Sequence, residues 1–270
     1  MNQTMITSAN TLSQLQKKLD IVSHNISNVD TTGYKRREAT FTELINQNVN
    51  NMRQNDIGRL TPNGIRVGAG AKLAQSQMVG AQGNLQSTGR LLDFAFAKEK
   101  QFFKVLVQEN GQGKVHYTRD GAFSLTPIND NEVMLVTNEG RPVLDENNQT
   151  ITFNPNNGPV TLEANGRIRA GGQMFNLGVV TINKPQFLEQ KGSNLLTLPD
   201  NPAVPEDQIL QNLTNADRGV ISLQQSTLEK SNVDMGKEMV DLTNVQRSYQ
   251  FQSRSISLAD QMLGLINGVR

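Results

Sequence analysis

Two histidines, His24 and His116, and no cysteine make up the whole stock of imidazole and thiol in this 270-residue chain. Thiolate zinc sites, disulfide frameworks and cysteine nucleophiles are therefore excluded, and two imidazoles cannot build a multi-histidine metal site. Neither histidine stands at a spacing that places a nucleophile beside it. His24 sits in a helical run next to Asn25, and His116 in a strand-like run next to Tyr117. Gly68-Ala69-Gly70 begins like a dinucleotide fingerprint, but the third glycine is missing and no clean strand precedes it. It reads as flexible linker. Asp145-Glu146-Asn147-Asn148 offers oxygen ligands to calcium, yet it lacks the central glycine and closing glutamate of an EF-hand loop, so a turn is expected. Asp93, Arg119 and Asp120 are expected to pair at the surface or in turns. Enzymatic readings fail for want of parts, and no cofactor is expected.

The charge balance narrows the partners. With 26 Lys and Arg against 25 Asp and Glu, the net charge is +1, and no basic excess exists to neutralise nucleic-acid phosphates. Tryptophan is absent and aromatics are 5%, a thin supply for a sugar-stacking groove. Asparagine (30) and glutamine (24) together fill a fifth of the chain. No segment reaches the roughly 18 consecutive apolar residues that span a bilayer. The opening MNQTMITSAN has no basic region, no continuous apolar run and no small-residue cleavage site. A chain that spans no membrane and carries no cleavable signal peptide is expected.

The elements follow from the period of the apolar residues. Met5, Leu12, Leu15, Leu19, Val22 and Ile26 alternate three and four apart, with Ser8 in the one polar slot, which is a heptad seam on a helix. Asp30, Thr31, Thr32 and Gly33 end it near residues 28–33. The C-terminal end mirrors this arrangement. Met235, Leu242, Tyr249, Ile256 and Leu263 share one heptad position, Val245, Ala259 and Ile266 the other, and Glu238 and Gln252 interrupt them. Between the helices the punctuation is that of strands. Asn63-Gly64, Asn110-Gly111, Asp120-Gly121, Asn157-Gly158 and Asn165-Gly166 favour turns with positive φ. The runs 102–107, 133–136 and 177–182 fit half-buried strands. The expected fold class is α+β. Long N- and C-terminal helices are expected to form a coiled-coil core, with a central, mostly antiparallel β domain. The expected divisions are an N-terminal core helix (1–40), an extended linker or appendage (41–75), the β domain (76–222) and a C-terminal core helix (223–270) that pairs with the first.

A helix of this length needs partners for its apolar stripe. An intramolecular antiparallel pair is one solution. The residues flanking the seams favour another, because Gln16, Ser23, Asn25, Gln246, Ser248, Ser253 and Ser255 are amides and hydroxyls with Lys18 as the single charge. A solvated coiled coil normally carries Glu and Lys there. Small neutral groups suit a helix touched on several sides, where long charges are costly to desolvate. The expected assembly interface is Leu12, Leu15, Leu19, Val22, Asn25, Ile26 and Asn28 with Leu242, Val245, Tyr249, Ile256 and Leu263. Asn25 and Asn28 are expected to bond to backbone or to neighbouring subunits.

The run from Leu19 to Lys35, LDIVSHNISNVDTTGYK, resembles the N-terminal signature of bacterial flagellar axial proteins, the rod and hook family, with Ser27 where alanine is usual. That signature reads Asn-Ile-Ala-Asn-x-x-Thr-x-Gly-Tyr-Lys. The stretches 231–234, 238–242 and 246–249 are similar to the family's C-terminal helix. The middle agrees in order at 64–70, 82–85, 117–123 and 138–144. Length and middle motifs are most similar to the distal rod protein, with the proximal rod protein and the longer hook protein as alternatives. One departure stands out: a frequent Gly-Asp-Gly-Phe-Phe run is replaced by Lys98-Glu99-Lys100-Gln101-Phe102-Phe103.

The resemblance implies a non-enzymatic subunit of the flagellar basal body that stacks helically into a drive shaft and transmits torque from motor to hook. It implies export through the flagellar type III apparatus without signal cleavage. The implied partners are the chain itself and neighbouring rod and hook proteins, with peptidoglycan or bushing rings around them. A cell-wall binding module with the helices as an oligomerisation stalk is the rival reading. A fused wall hydrolase is a third, but no acid pair of suitable spacing supports it.

Overall fold

A computed structural model describes residues 2–43, 47–49, 65–67, 71–109, 111–202 and 204–268. The chain divides into two compact units, one of residues 1–26, 37–76 and 235–270 and the other of 27–36 and 77–234. Helix and antiparallel sheet are both present, so the fold is α+β.

The first unit holds the two long helices. The N-terminal helix runs Asn2–Ser27 and the C-terminal helix Met235–Gly268. At 1.5 Å per residue they are about 39 Å and about 51 Å long. Neither is interrupted by proline, and no described helix is long and apolar enough to cross a membrane. Within 41–75 the chain forms strands. Arg37–Glu43 pairs with Ala71–Met78, and Gln47–Val49 pairs antiparallel with Ile65–Val67. Asn63-Gly64 and Gly68-Ala69-Gly70 lie outside the described residues.

The second unit is built on a six-stranded antiparallel sheet. Its order is Glu189–Lys191, Leu195–Thr197, Gln112–Thr118, Gln101–Glu109, Val179–Ile182 and Leu210–Asn212. Two three-stranded meanders accompany it: Phe123–Asn129, Glu132–Thr137 and Thr152–Phe153, then Thr161–Glu163, Arg167–Ala170 and Gln173–Asn176. Short pairs close the unit: Phe94–Phe96 with Leu223–Gln225, and Leu85–Ser87 with Thr227–Glu229.

The central strand departs from the expected half-burial. Phe102, Phe103, Lys104 and Val105 are all buried, because the sheet is covered on both faces. Phe103 and Val105 join one cluster with Phe94, Phe96, Phe123 and Leu135, while Phe102 packs with Tyr117, Val180 and Leu210 in another. The phenylalanines carry the larger cluster; Phe103 meets Phe123 edge-on at 5.0 Å. The turns divide similarly. Asn165 (φ 63) and Gly166 (φ 68) do turn a hairpin between Thr161–Glu163 and Arg167–Ala170. Asp120-Gly121 does not: the flanking strands belong to different sheets, and the Gly121 carbonyl accepts from the Phe94 amide (3.0 Å) instead.

Candidate assembly surfaces and the signature segment

On the N-terminal helix one stripe is covered. Val22 is buried, and Met5, Ser8, Leu12, Leu15, Leu19 and Ile26 are half-buried. On the C-terminal helix the covered stripe is Glu238, Leu242, Val245, Gln252, Ile256, Ala259 and Leu263. Met235, Tyr249 and Ile266, expected on the same seam, are exposed. Asn25 occupies the end of the N-terminal stripe and is fully satisfied there. Its Oδ1 accepts from the Arg37 amide (3.0 Å), and its Nδ2 donates to the Arg37 carbonyl (2.8 Å) and to Glu238 Oε2 (3.2 Å). A buried amide with three bonds costs little, whereas an apolar residue there would remove all three bonds.

The helix also carries a second stripe. Phe251, Leu258 and Leu265 recur every seven residues and are 72%, 59% and 72% exposed, with Met262 beside them. Phe251 and Leu258 each precede a covered-stripe position by one residue, and Leu265 continues their heptad register, so this face lies about 100° around the helix from the covered one. The sequence signal was available in their heptad spacing, but the stronger apolar seam next to it masked them.

Asn28 falls in the other unit, where its Oδ1 accepts from Thr31 Oγ1 (3.1 Å). From here the signature can be read residue by residue. Thr32 Oγ1 donates to Asp120 Oδ1 (2.7 Å), which also accepts from the Ala122 amide (3.1 Å). Burial raises the Asp120 pKa, and these two bonds oppose the rise. Gly33 has φ +68, and a Cβ there would lie 2.5 Å from the Asp120 nitrogen. Tyr34 is buried. Lys35 Nζ donates to Glu229 Oε1 (2.6 Å) and to the Ala81 carbonyl (2.8 Å).

Arg119 completes this cluster and corrects the expectation of surface pairing. It is buried, its Nε contacts Glu229 Oε2 at 2.6 Å, and its other nitrogens donate to the carbonyls of Gln101 (2.6 Å) and Lys98 (2.7 Å). The guanidinium also lies 5.3 Å from the Phe96 ring centre. Burial, and then the Arg119 charge, lower the Lys35 pKa, while Glu229 works against both. Asp93 is likewise buried rather than at the surface, accepting from Thr88 Oγ1 (2.6 Å). Glu229 carried no signal in sequence, because nothing local to it pairs with a residue almost two hundred positions away.

The remaining candidates fill structural places. His24 is exposed on its helix. His116 is buried in its strand, with Nε2 3.6 Å from Glu109 Oε1. Asp145 Oδ1 accepts from the Asn147 (2.9 Å) and Gln149 (2.7 Å) amides, the turn that was expected. The Lys98–Lys100 turn keeps a left-handed residue without a glycine, at Lys100 (φ 64).

Long helices at both ends of the chain, an antiparallel β unit and an exposed apolar stripe on the C-terminal helix are the features that a family assignment has to explain. Three family models match in order: the flagella basal body rod protein at residues 5–35, the flagellar hook protein FlgE/F/G D1 domain at 99–170, and the flagellar basal body rod FlgEFG protein C-terminal region at 224–269. The chain is similar to the flagellar hook-basal body complex protein FlhP of Bacillus subtilis (44% identity, all of both chains). It is also similar to the flagellar basal-body rod protein FlgG of Borreliella burgdorferi (32%, all of this chain and 99% of the relative) and of Bacillus subtilis (30%, 93% of each). The chain belongs to the flagellar basal-body rod and hook protein family.

Proposed function

We propose that the chain is a non-enzymatic structural subunit of the flagellar basal-body rod that stacks helically into a torque-transmitting shaft. The observation that carries this reading is the second stripe. Phe251, Leu258 and Leu265 present large apolar side chains to solvent on a helix whose other stripe is already covered. Such a face is what neighbouring subunits would fill. The covered stripes belong to one compact unit and share the Asn25–Glu238 bond, which supports antiparallel coiled-coil pairing of the helices. Leu12, Leu15, Leu19, Val22, Ile26, Leu242, Val245, Ile256 and Leu263 form that seam, while Tyr249, at the same heptad position as Leu242 and Ile256, is left exposed on it.

The partners in this reading are further copies, adjoining rod and hook proteins, and the type III export apparatus that delivers the chain. Peptidoglycan or bushing rings surround the finished shaft. In the same proposal the core helices lie within 1–40 and 223–270, the appendage within 41–75, and the β domain (76–222) is completed by residues 27–36 and 223–234 of its compact unit. Within one bacterium, Bacillus subtilis, identity is 44% to FlhP and 30% to FlgG, which supports reading this chain as a counterpart of the former. Replacing Leu19 or Ile256 by Asp tests the reading: motility is lost while the β-type circular dichroism of the purified protein persists. Motile cells carrying either change would contradict it.

A further inference from the structure

The cluster around Glu229 joins segments that lie far apart in the chain. Lys35 follows the N-terminal helix, which ends at Ser27, and Glu229 precedes the C-terminal helix, which begins at Met235. Arg119 is anchored independently by the Lys98 and Gln101 carbonyls and stacks beside Phe96 and Phe102. Glu229 supplies the anion for both cations. It also accepts from the Gly83 amide on Oε1 (2.8 Å), and its own carbonyl accepts from the Gly33 amide (2.8 Å). All three ionic side chains are at most 4% exposed. Two buried cations without an anion are costly to desolvate, so the segments around them have reason to stay open until Glu229 arrives.

We propose that Glu229 is a closing latch of the β unit: its docking on Arg119 and Lys35 orders residues 28–36 and 79–84 in one step. The backbone links agree with joint ordering. The Val79 amide donates to the Arg36 carbonyl (2.8 Å), and the Lys230 amide to the Asn84 carbonyl (2.9 Å). Asn232 gathers the same segments, with Oδ1 accepting from the Arg36 amide (2.6 Å) and Nδ2 donating to the Val79 (3.0 Å) and Ala81 (2.9 Å) carbonyls. The stretches leading into the two terminal helices therefore become ordered together. The latch rests on the β unit alone and does not depend on the rod reading.

The test is hydrogen exchange on the full chain, compared between the native protein, Glu229→Gln and Lys35→Met. Glu229→Gln keeps the shape and leaves two cations without an anion. Exchange in 28–36 and 79–84 should then accelerate roughly tenfold or more, the scale of a lost charged hydrogen bond. The central strands Gln101–Glu109 and Gln112–Thr118 should stay protected. Lys35→Met leaves the Arg119–Glu229 pair balanced and should accelerate the same two segments by a smaller factor. Unchanged exchange there, or an equal rise across every strand of the unit, overturns the latch. If Glu229→Gln does not fold, Lys35→Met decides by the same pattern.

Discussion

Truncating Phe251 to alanine should cripple association and leave the monomer almost untouched. The side chain is 72% exposed, so its loss removes little packing from the isolated subunit, and a change within about 0.5 kcal/mol is expected. Full burial of a phenylalanine contributes about 1.5–3 kcal/mol, and nearly three-quarters of this surface is still free to be buried. Each subunit added to a polymer then loses about 1–2 kcal/mol, which raises the critical concentration about fivefold to thirtyfold. Val245 provides the contrast. It is 4% exposed, and Val245→Ala should destabilise the subunit itself by about 1–3 kcal/mol. The assay is sedimentation of polymer at rising protein concentration, beside thermal melts of each variant. An unchanged critical concentration for Phe251→Ala, or a melting shift as large as that of Val245→Ala, would refute the reasoning.

Four further outcomes follow from the geometry. Gly33→Ala combines left-handed backbone with a 2.5 Å approach to the Asp120 nitrogen, and denaturant unfolding should show a loss of about 2–5 kcal/mol. Lys100→Gly relieves a left-handed lysine and should raise stability by about 1 kcal/mol; a lowered midpoint would mean that the lysine's own contacts outweigh its strain. Burial pushes the Tyr117 phenol up to about 12 from its ordinary 10, so its contribution is present below pH 10 and lost as pH rises to 12. The native protein should therefore lose roughly 2–3 kcal/mol of stability across this range, and Tyr117→Phe should abolish that loss. Finally, residues 27–234 should fold as a fragment, whereas 76–222 lacks both Lys35 and Glu229 and leaves Arg119 buried without an anion; well-dispersed amide resonances from 76–222 would contradict this.

The helices were legible in the residues because their signal is local. Leu12, Leu15, Leu19, Val22 and Ile26 lie within four turns, and a 3.6-residue period places them on one face whatever the rest of the chain does. The strand-rich middle was legible for the same reason, from short apolar runs between turn residues. The segment 41–75 was less so, since its strands Gln47–Val49 and Ile65–Val67 pair across an intervening stretch that holds no pattern of its own. The signature Asn-x-x-Asn-x-x-Thr-x-Gly-Tyr-Lys identified the family, but its spacing alone does not reveal what each residue holds. Asn25 turned out to serve the Arg37 backbone and Glu238, Gly33 the approach of residue 120, and Lys35 a carboxylate near the far end of the chain.

Composition and period by themselves determined that the chain is α+β, that its ends are amphipathic helices, and that it lacks thiols and a multi-histidine metal site. These are properties of neighbours along the chain, or of simple counts. Burial was decided only by the tertiary structure. Charged Arg119 and Glu229 look like surface residues in sequence, yet they lie in the interior because partners from remote segments neutralise or hydrogen-bond them there, and Asp93 is buried against the nearby Thr88 hydroxyl. Tyr249 looks like a seam residue and is exposed, while Phe251, two positions on, begins the stripe left open to solvent. Which face of a helix is covered depends on what packs against it, and that information lies in the fold rather than in the helix.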